Sequence, residues 1–234
     1  MRTEVFDYLA KHFQRILMIK SLLSILLLFV SIESYAQDSL GYYHGKASYY
    51  GFSGSGNCSF KPPSKPILTA AVNSKQYNKA SLCGACLQVI GSKDTVIVHV
   101  EDRCPGCKFG GIDLSKTAFA TIDDMAKGRI EVRWKVVPCG YVKSMKLYVK
   151  KTYNDGSATV LVVDHNTPLK SLSIWNDSTW ISIERENHNC FHVKKKKDGF
   201  TRIQMTDWYG NEITSDSLIL TPGSYIDLKQ QFAN

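Results

Sequence analysis

The stretch Glu101–Ser115 reads EDRCPGCKFGGIDLS, and its interpretation decides the fold assigned to the rest of the chain. It holds two cysteines, Cys104 and Cys107, and two aspartates, Asp102 and Asp113. A C-x-x-C pair is typical of a zinc site or of a redox centre. The same residues are also compatible with a disulfide-closed loop beside two carboxylates that bind a substrate. The rest of the sequence has to distinguish these interpretations.

A second C-x-x-C pair, Cys83 and Cys86, lies upstream, and 17 residues separate it from Cys104. This spacing satisfies a known zinc template, in which about 15–20 residues lie between the two pairs. Cysteines stay reduced in the cytosol and are oxidised to disulfides outside it. The cellular compartment therefore decides which interpretation applies.

The N-terminus has the features of a secretory signal peptide. Lys20 precedes an apolar run at residues 22–32, and residues 34–36 (SYA) form a small-x-small cleavage site. We predict that residues 1–36 are a signal peptide, with Met18 as an alternative start. The mature protein is then secreted to the extracellular space or, alternatively, to a periplasm. The competing interpretation is a membrane anchor, for which the run is short.

The cysteine count agrees with an oxidising compartment. Six of the seven cysteines lie between residues 58 and 139, and Cys190 stands alone, so we expect three disulfides and one free thiol. No cofactor or metal ion is predicted. Without residues 1–36 the formal charge is +7, which favours anionic partners such as acidic polysaccharides, while export argues against nucleic acid. We expect a monomer without membrane contact after signal cleavage.

Strand signals dominate the mature chain, as short runs rich in Val, Ile, Thr and aromatic residues between Gly, Asn and Asp. Apolar and charged side chains alternate over residues 129–137, which predicts a half-buried strand. One helix is expected over residues 116–122, after the N-cap residue Ser115. Beyond residues 138–140, strand-like runs recur about every ten residues, which is typical of an antiparallel sandwich.

Four segments together resemble the first domain of expansins and expansin-like proteins. They are GKASYYG (45–51), LCGAC (82–86), VHVEDRCPGCKFGGIDLSKTAF (98–119) and IEVRWKVVPCG (130–140). MTDWYG at residues 205–210 resembles a late strand of the expansin second domain. The resemblance implies a mainly β fold. A six-stranded double-psi β-barrel would occupy residues 40–139, and an immunoglobulin-like β-sandwich that binds carbohydrate would occupy residues 141–234.

The resemblance also implies which residues line a polysaccharide-binding groove. Asp113 matches the essential groove aspartate of the family, which is the general acid in related endoglucanases, and Asp102 matches the other groove aspartate. Ser48 stands where the family usually has threonine. Tyr49 and Tyr50 add hydroxyl groups and rings, which are suited to sugars. The implied disulfides are Cys58–Cys83, Cys86–Cys139 and Cys104–Cys107, with Cys190 free.

Whether the groove catalyses hydrolysis depends on a second carboxylate, because most glycosidases use an acid together with a base or nucleophile. Related endoglucanases take the base from the first barrel strand, but residues 46–51 (KASYYG) contain no Asp or Glu. Cys104 also replaces a groove tyrosine of some bacterial members. We therefore predict a protein that binds plant-type cell-wall polysaccharide, such as cellulose or hemicellulose, and loosens it without hydrolysis.

Three alternatives stay open. The first is a glycan-cleaving barrel enzyme, such as a peptidoglycan lytic transglycosylase or an endoglucanase. The second is a polysaccharide-binding module with an inactive groove. In the third, Asp102 and Asp113 only cap loops and the N-terminus of a helix.

The predicted sandwich departs from the family pattern. Bacterial expansins carry an aromatic platform for cellulose there, whereas the aligned positions hold Ser157, Ala158 and His188. His188 and Tyr153 are therefore candidate contacts, and the usual cellulose platform is not expected on this sandwich. The lysine run at residues 194–197 keeps an acidic, pectin-like polymer among the candidates.

Four further aromatic residues of the sandwich divide into two groups. Trp175 and Trp180 are candidate polysaccharide contacts, but we expect them to lie in the sandwich core. Trp208 and Tyr209 fall at a predicted turn, where we expect them to be exposed and able to contact polysaccharide.

Overall fold

The computed structural model describes residues 37–62, 67–141, 143–194 and 201–233. The predicted signal peptide and residues 195–197 of the lysine run lie outside these ranges. Within them, no helix is long and apolar enough to cross a membrane. Strands make up most of the regular structure, as the sequence predicts.

Six strands form a closed barrel in the order β1-β5-β2-β4-β3-β6. They are β1 (Tyr43–Tyr50), β2 (Thr69–Asn73), β3 (Cys86–Ile90), β4 (Thr95–Cys104), β5 (Ile112–Ser115) and β6 (Ile130–Val137). Two short helices, α1 (Ser74–Tyr77) and α2 (Lys116–Ile122), and a 3-10 helix at Met125–Lys127 lie between them. β1 pairs in parallel with β5, and β2 pairs in parallel with β4.

Buried aromatic side chains fix the segment that carries the groove residues. Phe119 of α2 and Trp134 of β6 are fully buried in the barrel core. The Trp134 indole nitrogen donates a hydrogen bond to the Gly110 carbonyl at 2.7 Å. A Cβ on Gly45 would lie 2.2 Å from the Gly110 oxygen, so only glycine allows this approach. These contacts hold the loop that leads into β5 and so position Asp113.

Eight strands form the second half of the molecule as two four-stranded sheets. They are β7 (Lys146–Thr152), β8 (Ala158–Val163), β9 (Leu169–Trp175), β10 (Trp180–Ile183), β11 (Phe191–Val193), β12 (Ile203–Asp207), β13 (Glu212–Thr214) and β14 (Tyr225–Asp227). One sheet has the order β10-β9-β12-β13 and the other β11-β8-β7-β14. Their inner faces enclose an apolar core. The predicted fold class, a six-stranded barrel followed by a β-sandwich, is confirmed.

The prediction that Trp175 and Trp180 lie in the sandwich core is wrong. They face each other across the β9–β10 hairpin, with ring centroids 5.2 Å apart. The neighbouring residue Ile174 packs against the core. Because successive side chains of a strand point to opposite faces, both tryptophans lie on the outer face of the sheet, where they are partly exposed.

Three disulfides are formed, and their pairing is the one that the resemblance implies: Cys58–Cys83, Cys86–Cys139 and Cys104–Cys107. Their Cα–Cα distances of 5.4, 5.1 and 5.4 Å are ordinary for disulfides. The cysteines of the two C-x-x-C pairs are divided among three bridges. They therefore do not form the four-thiolate arrangement that the zinc interpretation requires. Cys190 is free and buried.

The outer face of the β7–β8–β11 sheet packs against the barrel. Tyr148, Leu161 and Cys190 form a buried cluster on this face, and Phe60 of the barrel packs against it. The backbone N–H of Cys139, at the end of the barrel, donates to a sandwich carbonyl at 2.9 Å. The barrel and the sandwich are therefore in direct contact.

His165 is buried at this contact and its protonation state is coupled to folding. Its Nδ1 lies 2.8 Å from the Thr167 carbonyl, to which it donates when the ring is neutral. A Cβ on Gly84 of the barrel would lie 2.6 Å from its Nε2. Burial, with positive charge at His99 and Arg185, lowers the pKa of His165 from 6.5 to about 4. Between these values the folded state binds fewer protons than the unfolded state.

We therefore expect stability to fall as the pH drops from 6.5 to about 4. This single group accounts for about 3 kcal/mol over that window. Chemical denaturation across the pH range should show the slope, and His165→Asn should flatten it. His192→Asn removes an exposed histidine and should leave the slope unchanged. A profile identical in wild type and His165→Asn would contradict the assignment.

Candidate functional site

Three predicted groove residues lie in one row across the barrel surface. In the strand register Ser48 faces Asp113, Asp113 faces Ala71, and Ala71 faces Asp102. Paired residues project to the same side of a sheet, and the small Ala71 separates the two carboxylates. The register shift between β2 and β4 skips Glu101, which is buried. This bulge turns Asp102 onto the same face.

The two aspartates have different surroundings. Asp102 Oδ1 accepts hydrogen bonds from the backbone N–H of Asn57 at 2.7 Å and of Arg103 at 2.8 Å. Asp113 Oδ1 is buried without a hydrogen-bond partner among the described residues. Ser48 is the register partner of Asp113, so its hydroxyl group lies next to the Asp113 carboxyl group. Asp102 thus also stabilises a loop, whereas Asp113 has one buried oxygen without a partner among the described residues and is not held by backbone N–H groups in the same way.

The environment of Asp113 favours its protonated form. Burial raises the pKa of the Asp113 carboxyl group above 3.8, and the negative charge of Asp102 adds to the effect. The Ser48 hydrogen bond and the Arg129 guanidinium act in the opposite direction. A half-buried carboxyl group with a raised pKa is typical of a functional site. It can accept hydrogen bonds when ionised and donate one when protonated.

The row borders a cavity of about 600 Å³, and Ser48 and Asp113 form part of its wall. Asp102 stands in the same row but outside the lining. The other lining side chains are Lys46, Lys108, Phe109, Arg129 and Glu131, together with the Cys104–Cys107 disulfide. Most of them are not predicted from the sequence. The cavity therefore presents basic groups beside the Asp113 carboxyl group.

Glu131 is a second carboxylate in this cavity, on β6 and not on the first strand. The register pairs it with Lys46, two residues before Ser48, and the Lys46 Nζ lies 3.3 Å from a Glu131 oxygen. Its side chain is 76% exposed. The alternation of residues 129–137 already predicts that Glu131 faces outward. The sequence does not show that β6 lies beside β1. This pairing places the polar face of β6 at the border of the groove.

The two tyrosines of β1 have opposite orientations. Tyr50 projects to the same side as Ser48, with its hydroxyl buried near Thr69 and without a hydrogen bond of normal geometry. Burial raises the pKa of Tyr50, and nearby carboxylates add to the effect. Tyr49 packs against the core, in edge contact with Phe119 at 4.9 Å. Tyr49 therefore lies on the opposite face of the strand from Ser48, because alternate residues of a strand face opposite sides.

Tyr153 lies in an aromatic and basic patch on the sandwich. Its ring, 39% exposed, contacts the His192 ring at 5.2 Å, and the Lys151 Nζ lies 4.7 Å from its centroid. The sequence analysis missed His192, an exposed residue of β11. The aligned platform positions Ser157 and Ala158 are buried, so they offer no surface for a polymer.

Trp208 and Tyr209 are exposed, by 40% and 65%, in the turn between β12 and β13. The buried Asp207 holds this turn by accepting a hydrogen bond from the Tyr209 backbone at 2.9 Å. His188 lies in the loop before β11, where its Nε2 is 2.7 Å from a Glu186 oxygen. Tyr153, Trp208 and His188 belong to different sheets and loops, so they do not form one platform.

The closed barrel with its row of carboxyl groups, joined to a β-sandwich, defines a two-lobed double-psi barrel protein. A family model described as lytic transglycolase matches residues 69–134. Expansin-YoaJ of Bacillus subtilis (strain 168) is 30% identical over 196 residues, which is 82% of this chain and 83% of that protein. Expansin-like protein 2 of Dictyostelium discoideum is 26% identical over 207 residues, which is 83% of this chain and 50% of that protein. The chain belongs to the expansin family.

Solved structures agree with this assignment. The apo expansin of Clavibacter michiganensis has a TM-score of 0.76 and 28% identity, and the match covers 82% of this chain and 98% of that chain. A mutant of the same expansin in complex with cellohexaose has a TM-score of 0.76 and 27% identity, with the same coverage. The predicted double-psi barrel followed by a sandwich is therefore shared with a solved expansin.

Proposed function

We propose that this chain is a secreted, expansin-like protein that binds cell-wall polysaccharide in the barrel groove and loosens the wall without hydrolysis. The observation that carries the proposal is the Ser48–Asp113 pair. A half-buried carboxyl group with an unpartnered oxygen faces a hydroxyl group and not a second carboxylate. Membership of the expansin family supports this function, and the cellohexaose complex of a relative supports a β-glucan among the ligands.

The groove offers hydrogen bonds of both polarities to a sugar. The Asp113 carboxylate accepts bonds from sugar hydroxyls, and Arg129 and Lys108 in the same cavity donate them. Ser48 can do both. These bonds are individually weak because they replace bonds to water. A polymer held in this way can be released and bound again, as non-covalent loosening requires.

The Tyr153–His192 patch is the strongest candidate for a second contact on the sandwich. Sugar C–H surfaces pack on aromatic faces, and Tyr153 offers an exposed ring whose hydroxyl is held at 3.0 Å from Thr159. Lys151 beside the ring would attract an acidic polymer. The mature charge of +7 acts in the same direction.

A glycan-cleaving enzyme is the second candidate, and Glu131 is the observation that favours it. Glu131 and Asp113 border one cavity, and hydrolysis needs two carboxyl groups separated by roughly 5–9.5 Å. Against this role, Glu131 is highly exposed and paired with Lys46. An ion-paired, hydrated carboxylate is a weak general base, so we favour the non-hydrolytic function.

Incubation with cellulose, xylan, pectin and peptidoglycan separates the two functions. We expect sedimentation with at least one polymer, binding that weakens as salt rises, and no new reducing ends or anhydro-muropeptides. The same protein should increase the extension of wall specimens held under constant load. Glu131→Gln should leave both binding and extension nearly unchanged. Steady product release that disappears in Glu131→Gln or Asp113→Asn would show that the protein is an enzyme.

A further inference from the structure

In the segment Arg185–Cys190, between β10 and β11, every second residue makes a hydrogen bond to the barrel. Arg185 donates to a barrel carbonyl at 2.8 Å. The Asn187 carbonyl accepts from the Tyr77 hydroxyl at 2.8 Å, and Asn189 Nδ2 donates to another barrel carbonyl at 3.3 Å. Every second residue is therefore attached to the barrel, and the backbone of the segment is held firmly.

The intervening residues, Glu186, His188 and Cys190, bring three different donor atoms together. A carboxylate oxygen, an imidazole nitrogen and the thiol sulfur all lie within 4.8 Å of one another. The turn is closed by a backbone bond from Glu186 N to the Cys190 carbonyl at 2.9 Å and by one from Asn189 N to the Glu186 carbonyl at 3.0 Å. The donors are thus arranged by a closed turn that the barrel supports.

We propose that Glu186, His188 and Cys190 form a binding site for a divalent transition metal of the zinc class. Oxygen, nitrogen and sulfur donors together are the ligand set of Zn²⁺, whereas Mg²⁺ and Ca²⁺ prefer oxygen alone. Zn–ligand bonds of about 2.0–2.3 Å require donor atoms separated by about 3.5 Å. The present separations, all within 4.8 Å, would change by side-chain rotation when the metal binds.

The site is open to solvent on one side, where Glu186 and His188 lie, and Cys190 closes it on the buried side. Glu186 and His188 line an open cavity of about 550 Å³, through which metal and water can enter. Cys190 is the one free cysteine of the chain, and the Lys150 Nζ lies 4.0 Å from its sulfur. Binding displaces the thiol proton to solvent, and the exposed Lys150 side chain can move away from the cation.

The site lies outside the groove and does not depend on the proposed function. The imidazole and carboxylate that now bond to each other at 2.7 Å would both turn their lone pairs to the metal. Because the same turn is attached to the barrel, a bound metal would also strengthen the contact between barrel and sandwich. Its binding energy would then appear as added stability of the whole chain.

Titration of the metal-stripped protein with Zn²⁺, with its disulfides intact, tests the proposal. We expect one Zn²⁺ per chain, a rise in melting temperature on binding, and no comparable response to Mg²⁺ or Ca²⁺. His188→Ala and Cys190→Ser should each weaken binding by at least about tenfold. His188 is exposed, so its replacement tests the site even if the buried Cys190→Ser variant folds poorly.

Two matched controls distinguish the site from nonspecific binding. Glu184→Gln removes a neighbouring carboxylate that is paired with Lys79 at 2.7 Å, and His192→Ala removes another exposed histidine. Both should bind Zn²⁺ like wild type. Co²⁺ should give a thiolate-to-metal charge-transfer band that is lost in Cys190→Ser. Absence of that band in wild type, or Zn²⁺ binding unaffected by His188→Ala, would overturn the proposal.

Discussion

Asp113→Asn is expected to abolish wall loosening while leaving the folded protein at least as stable as wild type. The substitution keeps the shape of the side chain but removes the charge that accepts sugar hydroxyls. Loss of a charge-assisted hydrogen bond weakens the interaction roughly ten- to a hundredfold. Extension of wall specimens under constant load and sedimentation with polysaccharide measure the loss, and thermal unfolding measures stability.

Stability should respond to pH in a direction set by the raised pKa of Asp113. The folded state holds this proton more tightly than the unfolded state, so the carboxyl group adds stability below pH 3.8 and loses it as the pH rises through the folded-state value. The asparagine variant lacks this loss. Its stability relative to wild type should therefore increase with pH across that interval.

Asp102→Asn is the matched contrast, because Asp102 accepts two backbone N–H bonds. Removing the charge that caps this loop should cost about 1 kcal/mol or more of stability, together with some activity. If Asp113→Asn instead lost stability in proportion to activity, Asp113 would be a loop-capping residue and the groove hypothesis would be wrong.

Among the three disulfides, removal of Cys86–Cys139 should produce the largest loss of unfolding free energy. This bridge spans a sequence separation of 53, whereas Cys104–Cys107 spans 3. In the chain-entropy model, a longer closed loop restricts the unfolded state more, which gives about 4 kcal/mol for the first and about 2 kcal/mol for the second. Paired alanine substitutions and chemical denaturation measure the two values.

The same comparison separates structural from functional roles. The Cys104/Cys107 double alanine variant should show a marked loss of polysaccharide binding but only a small loss of unfolding free energy, because this disulfide lines the groove cavity. The Cys86/Cys139 variant should do the opposite. Equal costs for the two bridges, or a costlier Cys104–Cys107 bridge, would contradict the loop-length argument.

Local patterns in the sequence predict the strands well, because side-chain alternation is a property of neighbouring residues. The helix α2 also begins after Ser115 as predicted, but the Ser115 hydroxyl accepts from the Thr69 backbone N–H at 3.1 Å and does not cap the helix. The shared surface of Asp102 and Asp113 is also predictable from their positions around the Cys104–Cys107 loop. Arg129 and Glu131 are not, since their place in the cavity depends on which strand closes the barrel beside β1. That choice is made by contacts between residues far apart in the chain.

Errors at the aromatic residues have a simpler cause. Tyr49 and Tyr50 are adjacent in one strand, so only one of them can share the face of Ser48, and alternation along the strand predicts that this is Tyr50. Trp175 and Trp180 look like core residues because they are large and lie in strands. Their pairing across a hairpin lets each ring shield the other from solvent. Both rings can therefore lie on the outer face of the sheet and need not be buried in the core.

Asn57 has a consequence for how the molecule bears mechanical load. Its backbone N–H binds Asp102 in the groove, and its side-chain amide donates to the Asn187 carbonyl of the sandwich at 3.1 Å. The next residue is Cys58, which is bonded covalently to Cys83. A polymer attached to both lobes would put this segment under tension. Part of the force would then pass from one hydrogen-bonded residue into a covalent bridge of the barrel.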